Sequence, residues 1–260
     1  MRISAVIITF NEADNIRAAC ESVSWADEIL VVDSESTDAT RDIAAGCGAR
    51  VITRPWPGFS AQKQFATDSA AHDWVLSLDA DERVSSELSE SIASLHRSDD
   101  PPDAQGYRIA RRTFYMNRWI KGGGWYPNYQ LRLFDRRRGR WRERLIHESV
   151  VMNDNARVEI LPGDLLHYTA RDVSDHQRMI GERYAPLGAR QMFNEGKRTS
   201  PLKIALAGPL AFVRSFVLKA GFRDGLAGLT IAQFAAQHDF LKHSLLWQMQ
   251  NATPKDGHEK

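Results

Sequence analysis

Apolar positions along the first hundred residues come in short runs, each closed by polar or acidic residues. Ile3 to Phe10 is β-branched and nearly continuous, as in a strand buried on both faces of a parallel sheet. Asn11, Glu12 and Asp14 follow, and helical spacing then runs through Ile16, Ala19, Cys20 and Val23. Glu28 to Asp33 predicts a second strand that ends in acid. Ser34 to Asp38 supplies turn and cap chemistry for a helix through Ile43 and Ala44, closed by Gly46 and Gly48. Val51 to Thr53 predicts a short third strand and Ala61 to Ala71 a helix. Trp74 to Leu78 predicts a fourth strand, which breaks off at Asp79, Ala80, Asp81 and Glu82. Strand and helix alternate in this way to about residue 96, which implies a parallel sheet with right-handed crossovers.

The pattern changes after the polar loop from Ser98 to Gly106. Tyr107 to Met116 and Tyr129 to Phe134 predict strands of antiparallel or mixed character, divided by Gly122, Gly123 and Gly124. Val173 to Asn194 is helical, with a break expected near Pro186. Two further helices, over 202–219 and 226–249, are rich in Leu, Ala, Phe, Ile and Trp, with Gly221, Gly225 and Gly228 at their joint. The expected organisation is an α/β domain over 1–170 and a helical extension over 171–260.

Composition narrows the class. With 260 residues, 43% hydrophobic and 26% charged, the chain can build a substantial core, and wholesale disorder is excluded. Cys20 and Cys47 fall inside apparent helices, pointing to a reducing compartment rather than a disulfide framework. Met1-Arg2 leads straight into a strand without an apolar signal region, and no run of about 20 uncharged apolar residues is present. Charge divides sharply. Residues 1–100 hold 8 Lys and Arg against 18 Asp and Glu, whereas residues 101–260 hold 26 against 15. Within 108–144 there are twelve basic residues and two acids, a density suited to phosphate: nucleotide, nucleic acid or anionic lipid.

The strand ends carry the candidate chemistry. Thr9, Asn11 and Glu12 close the first strand, Asp33 the second, and Asp79 and Asp81 the fourth. In a parallel sheet these ends share one edge, where α/β folds bind ligands. Three acids in four residues repel one another unless a cation sits among them, so 79–82 is either a solvated turn or a divalent-cation site. Gln130 and Arg132 alternate with Leu131 and Leu133 and share one strand face, able to meet donor phosphate or an anionic acceptor. Trp125 and Tyr126, after three glycines, could form an aromatic lip that stacks on sugar. The run Arg136 to Arg140 is either a solvated turn or a contact for a phosphorylated saccharide. His147-Glu148 is not a zinc-protease motif, because Val151 stands where a second histidine is required.

Three blocks make a resemblance specific: Ser4 to Glu12, Ile29 to Asp38, and Leu76 to Glu82. In order and interval they resemble the successive blocks of family-2 glycosyltransferases with the GT-A fold. Gly123 to Phe134, Ile146 to Glu148, His167-Tyr168 and Lys219 to Gly228 resemble a bacterial branch that builds lipopolysaccharide core and related envelope glycans. Its best-known type is a β-glucosyltransferase of the inner core.

The resemblance implies a mixed α/β sheet flanked by helices, with a C-terminal helical extension that contacts either a membrane surface or a second subunit. It implies a nucleoside-diphosphate sugar donor, UDP-glucose first among them, a divalent metal (Mg²⁺ or Mn²⁺), and inversion by single displacement. Thr9, Asn11, Glu12 and Asp33 would meet base and ribose, Lys63 would approach the nucleotide, and Gln130 and Arg132 would complete the donor site. Asp81 would hold the metal, with Asp79 facing both metal and ribose and His167 completing the set. Glu148 would be the general base, oriented by His147, with Glu143 and Asp135 as weaker rivals. The acceptor would be a lipid-linked saccharide, met from the cytoplasmic face of the inner membrane, with no role for nucleic acid. The competing readings are transfer to a polyprenyl phosphate, and a non-catalytic nucleotide-sugar or RNA-binding module.

Overall fold

A computed structural model of the chain describes residues 1–97, 102–142, 149–169 and 172–252. His147 and Glu148, with the rival Glu143, lie outside the described residues. The chain divides into two compact units, one of 1–114 and 126–169, the other of 115–125 and 170–260. The second unit thus takes in 115–125, which the sequence places in the first domain.

In the first unit the strands are β1 (Ile3–Thr9), β2 (Glu28–Asp33), β3 (Arg50–Thr53), β4 (Trp74–Asp79) and β5 (Glu82–Val84). Then come β6 (Gly106–Tyr115), β8 (Asn128–Asp135), β9 (Gly139–Arg142), β10 (Ser149–Met152) and β11 (Val158–His167), while β7 (Arg118–Trp119) belongs to the second unit. The main sheet runs β3-β2-β1-β4-β8-β6-β11-β5. β3, β2, β1 and β4 are parallel, β8 is antiparallel to both its neighbours, and β11 is parallel to β6. β9 and β10 form a separate antiparallel ribbon.

The parallel half follows from its composition. Every residue of β1 is buried, because helices cover both faces. On one face α1 (Ile16–Ser22) and α2 (Thr40–Gly46) pack Ile16, Cys20 and Ala44 against Ile3, Ala5 and Ile7. On the other, α3 (Phe59–Asp68) sets Ala66 against Val6, Ile8 and Val32. Strand order reverses beside β1, so the carboxyl ends of β1, β2 and β4 open one crevice.

β11 is the longest strand that hydropathy does not announce. Pro162 and Gly163 interrupt it, and its pairing with β6 shifts register between Ile160 and Asp164, as a bulge requires. Gly163 has φ +94, and a Cβ there would strike the Leu88 backbone of α4 (Ser86–Arg97). Beyond the bulge, pairing resumes and carries His167 opposite Thr113 of β6 and Glu82 of β5.

The second unit is helical, with α5 (Val173–Arg178), α6 (Ala185–Asn194), α7 (Pro201–Val213) and α8 (Gly225–Gln250). Between α5 and α6 the helix continues as a π-turn over Met179–Tyr184. Pro186, in the first turn of α6, has no N–H to give, and the wider turn stands just ahead of it. A second π-turn, Arg214–Leu218, extends α7. Tyr115, Ile120, Ala227 and Ile231 form the core, and the Asp224 carboxylate accepts the backbone N–H groups of Lys121 and Gly122.

Candidate active site

The turns after β1 and β2 are tied to each other by short side chains. Asn11 takes a left-handed φ of 52, which lets its N–H donate to Ser36 Oγ at 2.8 Å while its Oδ1 accepts the Thr37 N–H at 2.8 Å. The Glu12 N–H donates to Thr40 Oγ1 at 2.8 Å, and the Ala13 N–H to Asp38 Oδ2 at 3.2 Å. Asp33 is fully buried. Its Oδ1 accepts the Ser36 N–H at 2.9 Å, and its Oδ2 accepts the Ser36 hydroxyl. Asn11 and Asp33 therefore hold the shape of the crevice wall. Beside them, Thr9 Oγ1 and Gln62 Oε1 are buried with no hydrogen-bond partner among the described residues. The Gln62 amide donates to Ser34 Oγ at 3.1 Å in the same wall.

At the end of β4 the acids are not alone. Lys63 of α3, 1% exposed, sets its Nζ 2.8 Å from Asp79 Oδ1. Arg132 of β8, 4% exposed, reaches Asp79 Oδ2 at 3.0 Å and Glu82 Oε1 at 2.9 Å. Glu82 is fully buried, accepts the Asp79 backbone N–H at 3.0 Å, and has Arg111 at 3.7 Å. Burial alone would push the Asp79 carboxyl up, but the Lys63 and Arg132 cations outweigh it and hold it well below the ordinary carboxylate range. Lys63 and Arg132, expected to meet the donor, lie buried against Asp79 instead. Both Asp79 oxygens are engaged by cations of the chain.

Asp81 stands apart from this cluster. Its carboxylate lies 3.3 Å from His167 Nε2, and both side chains are partly open to solvent, at 27% and 14%. The other ring nitrogen, Nδ1, lies 3.4 Å from Thr113 Oγ1. The Tyr168 N–H donates to the Asp81 carbonyl at 2.9 Å, so the end of β11 is locked to the turn. No cluster of three or more His, Cys, Asp or Glu suited to a metal occurs among the described residues. Asp81 and His167 give two adjacent donors. That set suits Mg²⁺ or Mn²⁺ only where diphosphate oxygens and water fill the remaining positions, the usual arrangement for Mg²⁺ on nucleotides.

Other expected groups are occupied elsewhere. Gln130 donates to Asn128 Oδ1 at 2.7 Å on its own strand. The aromatic pair is divided between the units: Trp125 packs on Tyr115 and His176, while Tyr126 donates its hydroxyl to Asp164 at 3.1 Å. Asp135 pairs in register with Trp74, at the opposite end of β4 from Asp79, and is held by Arg137 at 2.7 Å. Arg136 caps the Thr67 and Asp68 carbonyls. The arginine turn is thus a structural feature of the far edge, remote from the crevice.

The chain matches the model of glycosyl transferase family 2 over residues 4–156. It is 32% identical over 257 residues to the lipopolysaccharide core biosynthesis glycosyltransferase LpsC of Rhizobium meliloti (strain 1021), covering 95% of this chain and 92% of LpsC. The chain is a family-2 glycosyltransferase. A relative in Rickettsia bellii (strain RML369-C), described as an uncharacterized glycosyltransferase, is 31% identical over 95% of this chain and 87% of its own length. Among solved structures, glucosyl-3-phosphoglycerate synthase from Mycobacterium tuberculosis, crystallised with Mn²⁺, UDP and glucosyl-3-phosphoglycerate, overlaps at a TM-score of 0.48. That overlap carries 17% identity and covers 76% of this chain and 81% of that one.

Within this glycosyltransferase, sequence reasoning did not single out Thr113 or Arg111. Thr113 is the lone Ser or Thr in the basic stretch 108–144, directly after Arg111 and Arg112. Its role depends on the register between β6 and β11, which only the bulge at Gly163 sets.

Proposed function

We propose that this glycosyltransferase moves a hexose, glucose by first choice, from a nucleoside-diphosphate sugar to a hydroxyl of a lipopolysaccharide-core or related envelope saccharide, with inversion. The observation that carries this reading is the Asp81–His167 pair, 3.3 Å apart and partly open, beside an Asp79 already neutralised by Lys63 and Arg132. Such an arrangement leaves the second aspartate of the turn to the cation. Asp81 and His167 would hold Mg²⁺ or Mn²⁺, which neutralises charge on the departing diphosphate as a Lewis acid.

The protein's own groups do the rest. Lys63 and Arg132 keep Asp79 ionised and fixed at the strand end, so it can accept a ribose hydroxyl without recruiting the metal. Thr9 Oγ1, buried and without a hydrogen-bond partner among the described residues, calls for a polar group at the wall where the base and ribose would lie. Asn11, Glu12 and Asp33 shape that wall, and Gln130, held by Asn128 on β8, would complete the donor site. Glu148, oriented by His147, would take the proton of the acceptor hydroxyl, a step worth ~10²–10⁴-fold. A lipid-linked acceptor brings the enzyme to the cytoplasmic face of the inner membrane.

A thermal-shift series with nucleoside-diphosphate sugars, with and without Mn²⁺, tests the reading, since a ligand of the folded state raises its stability. UDP-glucose with Mn²⁺ should stabilise the native chain, and Asp81→Ala should remove the metal-dependent part. Glu148→Gln should bind donor normally and fail to transfer. Stabilisation that ignores metal, or transfer that survives Asp81→Ala, rules this assignment out.

A further inference from the structure

α7 turns its large apolar residues the wrong way for a helix that only packs inward. Its buried face is small: Gly208 and Ala211, with Ser215 in the π-turn, and Gly208 lies against the Ala236 carbonyl of α8. Its large apolar residues point outward. Leu202, Leu206, Leu210, Val213 and Val217 recur at helical spacing, and each is between 46% and 70% exposed. Leu218, Phe222 and Leu226 continue the patch past the joint. Over Pro201–Leu218 only 17% of the stretch is buried. A continuous apolar surface of this kind marks an interaction site.

Charge selects the partner. From Lys197 to Arg223 there are six basic residues and no acid. At roughly 100° per residue, Lys203 and Arg214 fall on one azimuth, bordering the leucine stripe along a single edge. Lys219 and Arg223 interleave with Leu218, Phe222 and Leu226. A second copy docking on this face would bring another acid-free stripe, with no carboxylate of its own to meet these cations. Crossing the bilayer fits no better. Arg214 pairs with Asp239 of α8, which also holds Lys242 and His238, and a spanning hairpin would drag this ionic cluster into hydrocarbon.

We propose that the α7 face and the joint after it form a docking surface for an anionic lipid bilayer, with the helix lying in the headgroup plane. The leucine stripe enters the acyl boundary, and Lys203, Lys219 and Arg223 meet lipid phosphate. This deepens the surface-bound part of the proposed function, and it is tested without sugar substrate, so either can fail alone.

Flotation of the full chain with vesicles decides the matter, using phosphatidylcholine alone and phosphatidylcholine mixed with phosphatidylglycerol. The native chain should float with the anionic vesicles and release in high salt. Leu206→Gln with Leu210→Gln should raise the lipid needed for half-binding at least ~10-fold. Lys203→Gln and Arg223→Gln should each raise it about fivefold, on anionic vesicles only. These side chains are solvent-facing, and an unchanged melting curve for each variant shows that folding is intact. No flotation of the native chain overturns the proposal, as does a leucine variant that floats normally. A dimer in solution that the leucine variant abolishes, without vesicle binding, assigns the face to a second copy and overturns it too.

Discussion

His167 Nε2 lies 3.3 Å from the Asp81 carboxylate, although 86 positions of chain separate them, and Thr113 stands 3.4 Å from the other ring nitrogen. A hydroxyl on one nitrogen and a carboxylate at the other fix the orientation of the ring, which is how ligand histidines are prepared for a metal. Replacing His167 with Ala should lower Mn²⁺-dependent donor affinity and turnover ~10–100-fold. Thr113→Val, which keeps the shape and loses the hydroxyl, should lower metal affinity by less while leaving the fold intact. Calorimetric titration of UDP with and without Mn²⁺ measures both. Equal UDP affinity in the native chain and His167→Ala, with metal present, sinks the assignment.

The cluster of Lys63, Asp79, Glu82 and Arg132 predicts a large stability effect. Glu82 is fully buried and takes charge from Arg132, itself almost inaccessible. Removing one partner of a buried pair leaves the other charge uncompensated, at about 3–5 kcal/mol. Glu82→Ala should therefore destabilise by that order in urea unfolding. Lys63→Met should cost less, since Arg132 still faces Asp79 across a partly open side. A Glu82→Ala loss below about 1 kcal/mol would mean that water reaches the cluster and screens it.

Legibility followed physical locality. The strand ends at Thr9, Asp33 and Asp79 were plain because a strand buried on both faces must be a short apolar run, and its end must be polar. Gln130 and Arg132 alternate with Leu131 and Leu133 in the sequence, but β8 shifts register against β6 between Leu131 and Leu133, which pack in different core clusters. A two-residue period shows neither that nor that Arg132 meets two buried acids. Lys63 is expected at the nucleotide, and only tertiary packing, which brings Asp79 beneath it, shows that it is buried against an acid. β11 escaped for a different reason. Pro162 and Gly163 are loop residues by every local rule, and the bulge that tolerates them also aims His167. The histidine itself was found through the resemblance, without the strand that carries it.

That bulge makes Gly163 a sharp test. Its φ of +94 disfavours any side chain, and a Cβ would collide with the Leu88 backbone at the start of α4. Gly163→Ala should lower stability by about 3 kcal/mol or more, since either the bulge or the helix must move. Because the bulge sets the register that brings His167 to Asp81, metal-dependent donor binding should weaken in the same variant. Thermal unfolding and a Mn²⁺-dependent shift, run together, check both. A variant with normal stability would show that the α4 contact yields without strain.

The second unit should carry its own acid sensitivity through His176. Its ring is 8% exposed, 3.0 Å from the Tyr115 hydroxyl and packed against Trp125 and Phe234. Burial pushes its pKa down to about 4, with Asp175 opposing only weakly. In the unfolded chain the imidazole takes its proton near the ordinary value of about 6.5. Between these two values the unfolded state binds the extra proton, so stability is fully present above pH ~6.5 and falls as pH drops toward 4. At 1.36 kcal/mol per pH unit, the loss is of order 3 kcal/mol. His243, also pushed down by burial, acts in the same direction. His176→Gln keeps a polar contact for Tyr115 but cannot titrate. Unfolding free energy plotted against pH should therefore slope less steeply in this variant between 6.5 and 4, and coincident slopes would show that His176 is not the sensitive group.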